Sequence, residues 1–311
     1  MRLRRLFTWA VGIVALTAAT NRGLQAKAGS LQQSLSGMEQ TYRWRGFDVR
    51  YVEAGDPDDP TIVLFHGLHA AASSREFEGI FEPLAAEYHV LAVDLPGFGR
   101  SDRPPVVYDA ALYEGFVRDF LNDETDSPIV VASSLTGALA TAAAREVPVD
   151  ELVLINPAES TGPRIGAVRG LFRTPLLGTG LFNLLVSRPS LRYFNRTLGY
   201  TDPDAVTPEL IDYQWQTAHQ PNARFAPASF VAGFLDPDVE LGAALRDLEC
   251  PITLVWGRDA GRPPLSVGRR LADTGDTKLV VVGDSKLLPH DQHPDAFLEG
   301  LSGSLDRLED H

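Results

Sequence analysis

The chain has 311 residues, 44% of them apolar, and a formal net charge of −13. That length and apolar content suit one large α/β domain with an insertion, or two small domains, and exclude a chain too short or too polar to bury a core. The acidic balance, with no basic face, excludes nucleic acid as a partner class; the single cysteine, Cys250, excludes an internal disulfide and a cysteine-based metal cluster.

Of the 28 basic residues only Lys27, Lys278 and Lys286 are lysines. An acidic, lysine-poor chain fits a salt-loving source, because at molar salt the Debye length falls to about 3 Å and self-repulsion is screened. A GC-rich genome gives the same arginine bias. Cys250 stands just before the apolar run 251–256 and reads as a buried core thiol.

In chain order, Arg2, Arg4 and Arg5 precede a mostly apolar run over 6–19, then polar residues and Ala26-Lys27-Ala28. The run is shorter than the roughly 20 residues that span a bilayer core and fits the apolar region of a signal peptide better. Arg4-Arg5-Leu6-Phe7 resembles the core of a twin-arginine export signal, and Ala26-Lys27-Ala28 a small-residue cleavage site. Residues 1–28 therefore read as a signal or a retained membrane anchor, ahead of a helix docked on the fold, and the protein is expected exported or anchored. Residues 29–40, rich in Ser, Gln and Gly, read as a linker.

From residue 41 the pattern becomes β. Segments 41–45 and 47–53 form a predicted hairpin, Asp56-Pro57-Asp58-Asp59-Pro60 a turn, and 61–65 a short buried strand ending at His66-Gly67-Leu68. A helix is predicted over 76–87 and a buried strand over 89–93, followed by the block Asp94-Leu95-Pro96-Gly97-Phe98-Gly99-Arg100-Ser101-Asp102. Helices over 110–122 and 135–145 and strands over 129–132 and 152–155 come next. Strands alternating with helices imply a mostly parallel, doubly wound sheet covered on both faces. From 157 to 241 the rhythm is interrupted by Pro, Gly and apolar helical patches at 171–172, 176–186, 191–194 and 210–215.

The chain is organised around 128–140, PIVVASSLTGALA, where a β-branched run meets two serines and a small-residue helix. A strand, a sharp turn and a helix start lift one side chain clear of the sheet, beside the backbone N–H groups of the helix N-terminus. The G-x-S-x-G form of that turn carries glycine on both sides of the serine because its backbone is strained. Here Ser134 matches, with Ser133 before it, but Ala132 and Thr136 replace both glycines.

Together, Leu64-Phe65-His66-Gly67, the 94–102 block, the turn at Ser134 and Leu254-Val255-Trp256-Gly257-Arg258-Asp259 resemble the α/β-hydrolase superfamily, in its order. The resemblance implies an α/β-hydrolase fold with core segments 41–156 and 242–303, a helical cap over 157–241 and a tail over 304–311. It implies Ser134 as nucleophile and the N–H groups of Leu68 and Leu135 as oxyanion donors. His66 reads as a loop-stabilising residue and not as a base.

The chain then departs from the family pattern. The acid is usual three residues after the glycine of the W-G motif, and the base just ahead of x-Pro in G-H-x-P; those places hold Ala260 and Leu287. A subgroup with Leu in the base position is part of the same resemblance. Asp259, Asp284 and Glu159 are candidate acids, and His290, three residues past Leu287, is the candidate substitute base, with His293 next. Three functional readings stay open: hydrolysis of an ester-like bond in a small apolar or amphipathic molecule, binding of such a ligand without turnover, and a protein-binding scaffold. No metal, nucleotide or flavin signature is present, so no cofactor is expected, and oligomeric state has no signal.

Overall fold

The computed structural model describes residues 2–305, with the side chains of 15–301. Eight strands form one sheet: β1 (Met38–Trp44), β2 (Phe47–Ala54), β3 (Thr61–Phe65), β4 (His89–Val93), β5 (Ile129–Ser133), β6 (Glu151–Ile155), β7 (Ile252–Gly257) and β8 (Lys278–Val282). Their order is β1-β2-β4-β3-β5-β6-β7-β8, antiparallel for the β1/β2 and β2/β4 pairs and parallel elsewhere. The hairpin closes with Trp44 opposite Phe47, leaving Arg45 (φ 45°) and Gly46 (φ 88°) as a two-residue turn whose positive φ values match the strand twist.

The central strands read as unbroken apolar runs because both faces are covered. Along β3, Val63 and Phe65 face one core with Phe116, Phe120 and Leu139, while Ile62 and Leu64 face the other with Ile80, Phe81 and Phe297. The first core is closed by α3 (Ala110–Glu124), α4 (Leu135–Ala143), α10 (Leu241–Arg246) and α11 (Leu265–Gly275), the second by α2 (Glu78–Ala85) and α13 (Pro294–Leu305), which follows the short α12 (Pro289–Gln292). The predicted helix over 76–87 is a 3₁₀ turn, Ser74–Phe77, leading into α2.

Between β6 and β7 lie α5 (Gly166–Arg173), α6 (Leu177–Leu185), α7 (Arg188–Phe194), α8 (Pro208–Ala218) and α9 (Phe225–Val231). Phe182, Val186, Leu191, Ile211 and Trp215 give this layer a core of its own. The N-terminal helix α1 (Arg2–Ala28) joins it: Asn21 is buried, donates to the Leu176 carbonyl at 3.2 Å and accepts from Asn183 at 2.8 Å, and Ala28 is buried in the same cluster. The sequence alone places docking behind signal and anchor, because the partners of this helix lie some 150 residues away in the chain. The expected linker is also more ordered than connecting chain, because Leu31 and Leu35 are buried and β1 already begins at Met38, pairing with Glu53. No helix among the described residues is long and apolar enough to cross a membrane.

Candidate active site

Ser134 sits where β5 ends and α4 begins, at φ 55° and ψ −129°, a conformation that L side chains rarely adopt. Three backbone bonds hold it there: its N–H donates to the Ile155 carbonyl at 2.8 Å, and its own carbonyl accepts from Gly137 at 3.0 Å and Ala158 at 3.2 Å. Its hydroxyl makes no hydrogen bond among the described residues, so it does not cap α4. Thr136, in the place of the second glycine, is buried and donates from Oγ1 to the His66 carbonyl at 2.8 Å, tying the first turn of α4 to the end of β3.

The β3 end is fixed with equal care. The Leu95 N–H donates to His66 Nε2 at 3.0 Å, so the proton of this buried imidazole sits on Nδ1, which donates to the Gly67 carbonyl at 2.8 Å. In a trans peptide the next N–H points opposite to that carbonyl, so the Leu68 N–H is aimed away from His66. His66 is therefore a loop-fixing residue, as read from the sequence. The Leu135 N–H is one of the free donors of the first helical turn. Gly67 allows the two loops to touch: a Cβ there would stand 3.2 Å from Ser133 Oγ and 3.3 Å from Ser134 Cβ.

The residues expected to complete a triad lie elsewhere or face other groups. Ala260 is buried and Leu287 is half-buried, packed against the first core. The Leu287 loop is pinned by Asn156, whose amide nitrogen donates to the Leu287 carbonyl at 2.9 Å while its oxygen accepts from Gly257 at 3.3 Å. A Cβ at Gly257 would meet the Lys286 carbonyl at 1.8 Å, so the W-G glycine is what lets this loop approach β7. Asp259 and Asp284 are exposed, and Glu159 is spent on α10, accepting from the Leu241 N–H at 2.7 Å. His293 Nε2 donates to the Asp284 carbonyl at 2.9 Å.

His290 is fully buried against Phe77 and Phe297, and its nearest charged neighbour is Glu76, with Nε2 to Oε1 at 3.5 Å. No hydrogen bond joins Ser134 to a histidine among the described residues. Glu76, unremarkable in the sequence, has its other oxygen on the Gly67 N–H at 3.1 Å. Burial alone raises the Glu76 carboxyl, but His290 beside it brings it net below the usual carboxylate range. A cavity of about 240 Å³ opens between this loop and the inserted helices, lined by His69, Glu76, Tyr200, Leu210, Tyr213 and Leu288 among others. Desolvation in its wall holds His69 down at about 4.

An α/β sheet with a strained serine at a strand-to-helix turn, set close against the loop that follows β3, is the layout of the nucleophile-elbow hydrolases. The family model described as alpha/beta hydrolase family matches residues 62–299, and the chain belongs to that family. It is 32% identical over 226 residues, 68% of this chain and 74% of the other, to 2-hydroxy-6-oxononadienedioate/2-hydroxy-6-oxononatrienedioate hydrolase of Cupriavidus pinatubonensis. It is 24% identical over 270 residues, 83% of this chain and 94% of the other, to the uncharacterized hydrolase YugF of Bacillus subtilis. Among solved structures, a membrane phospholipase A, a bacterial virulence factor, superposes with a TM-score of 0.69 at 21% identity over 99% of this chain and 98% of that one. A serine hydrolase of carbazole degradation gives 0.69 at 20% identity, over 88% and 99%.

Proposed function

We propose that the protein is a slow serine hydrolase of ester-like bonds in small amphipathic molecules, working from Ser134 and the Leu68 and Leu135 N–H groups without a triad histidine. The observation that carries this is the elbow: Ser134 is held in a strained conformation with its hydroxyl free of hydrogen bonds among the described residues, beside a loop in which Gly67 is held at its carbonyl by His66 and at its N–H by Glu76. In this reading Ser134 Oγ bonds to the carbonyl carbon and its proton passes to water. The oxygen, now negative, is stabilised by the two N–H groups, the alcohol leaves with a proton from water, and a second water hydrolyses the acyl-serine. In a comparable triad, losing the base costs about 10⁶ in kcat and leaves roughly 10³–10⁴ over the uncatalysed rate. Hydrolysis of p-nitrophenyl acetate, butyrate and octanoate by the wild type and Ser134→Ala is the test: slow turnover lost in the variant is expected, and equal rates would refute it.

A second reading, binding without turnover, is favoured by the apolar side chains Leu287 and Ala260 at the base and acid places. Tight retention of an apolar ligand with no hydrolysis of any of the three esters would select it. We also propose that residues 1–28 stay attached and hold the protein at a lipid surface, supported by the docking of Asn21 and Ala28 and by exposed Leu16, Leu177 and Leu184. The intact mass of the mature protein tests this, since cleavage after Ala28 would remove those contacts.

A further inference from the structure

Gly67 precedes the Leu68 N–H, and glycine is the residue least able to hold a peptide plane by its own sterics. Something outside the loop has to stop this peptide from turning over, because an inverted Gly67–Leu68 peptide would present a carbonyl where the oxyanion needs a donor. The carbonyl of that peptide is held by His66 Nδ1 at 2.8 Å, and the N–H of the preceding His66–Gly67 peptide donates to Glu76 Oε2 at 3.1 Å, so Glu76 fixes the plane from which the Gly67–Leu68 peptide starts. Glu76 comes from the 3₁₀ turn nine residues on, and its side chain is only 7% exposed. A Cβ at Gly67 would lie 3.3 Å from Ser134 Cβ and 3.6 Å from Glu76 Oε2, so the carboxylate and the nucleophile both stand on the side of Gly67 that its missing side chain leaves open.

The polar group facing Glu76 Oε1 is His290 Nε2 at 3.5 Å, itself fully buried, and an imidazole there supplies the counter-charge a buried carboxylate needs when it is protonated. Neither ring nitrogen of His290, nor Glu76 Oε1, makes a hydrogen bond among the described residues. His290 is thus committed to Glu76.

We propose that Glu76 is the positioning residue of the oxyanion loop, clamping the Gly67 N–H so that the Leu68 N–H stays aimed at the Ser134 site, and that His290 is its counter-ion and not a base for the serine. This rests on Ser134 being the nucleophile. Two variants separate a clamp from a base. Glu76→Gln keeps the reach and an acceptor oxygen but removes the charge; Glu76→Asp keeps the charge but is one methylene too short to reach Gly67.

The probe is a fluorophosphonate, read as the inactivation rate constant and the non-covalent affinity separately, on the full chain. Under the clamp, Glu76→Gln stays within about threefold of wild type, since a neutral acceptor still satisfies the N–H. Glu76→Asp loses about 10²–10³-fold in the rate constant, the usual effect of losing one oxyanion donor, with affinity unchanged. The reverse order, Gln inactive and Asp active, would overturn the clamp in favour of a charge-dependent role for Glu76, and equal rates in all three proteins would overturn it outright. If the wild type takes no label, the nucleophile reading falls, and the clamp is decided by amide exchange at Gly67: protection retained in Gln and lost in Asp supports it, and equal protection in both refutes it.

Discussion

Replacing Ser134 by glycine should make the protein more stable while removing its chemistry. A non-glycine residue at φ 55°, ψ −129° carries about 1–3 kcal/mol of strain, which glycine relieves because it lacks the Cβ that clashes. The lost hydroxyl is worth little to stability, since it makes no hydrogen bond among the described residues. Against the relief stands the greater freedom of glycine in the unfolded chain, about 0.4–1 kcal/mol. The balance is a gain of about 1–2 kcal/mol, or roughly 2–4 °C in melting temperature for a chain of this size. Ser134→Ala is the control, because it deletes the same hydroxyl but keeps the Cβ. Scanning calorimetry of the three proteins side by side is the assay. Glycine melting above both serine and alanine is expected; glycine melting level with alanine or below it would refute strain at the elbow.

Removing the counter-ion by His290→Ala leaves the Glu76 carboxylate buried and alone, at a cost of about 3–5 kcal/mol in urea denaturation, and adding Glu76→Gln should return part of it; strict additivity would deny the pairing. The Gly257→Ala variant drives a Cβ into the Lys286 carbonyl, so a loss of about 1–3 kcal/mol and a displaced Leu287 loop are expected, and wild-type stability would contradict the close approach. His69 is held at about 4 against roughly 6.5 in the unfolded chain, so the unfolded state takes its proton first. Its share of stability is full above pH 6.5 and lost as pH falls toward 4, and His69→Gln should flatten the melting temperature over that window. With a net charge of −13, melting temperature should rise between 0.1 and 2 M KCl, about the range over which screening becomes short-ranged; no rise would refute salt adaptation.

What could be read in the sequence is what depends on local pattern. The runs 61–65, 89–93 and 129–132 announced buried parallel strands because both of their faces are covered, and Ser134 stood out because a strand, two serines and a small-residue helix occur together. The helix α9, Phe225–Val231, did not, since FAPASFV carries a proline and no 3.6-residue stripe. Glu76 was hidden for a different reason. A glutamate in a charged stretch reads as solvent-facing, and its burial comes from His290, more than 200 residues later. Asn156 likewise takes its meaning from the Leu287 loop, which no spacing places next to it. Glu159 looked like an acid near the elbow and proves to hold the α10 N-terminus, a use that depends on where the returning chain lies.

In the proposed hydrolase Ser134 is made reactive by backbone geometry and not by a histidine base. The most direct test is the pH dependence of fluorophosphonate labelling at Ser134, located by peptide mass, from pH 5 to 9 in the wild type and His290→Ala. Slow labelling that rises with hydroxide and shows no inflection near the usual histidine pKa, about 6.5, is expected. An inflection in that range that vanishes with His290→Ala would contradict it and make His290 the base.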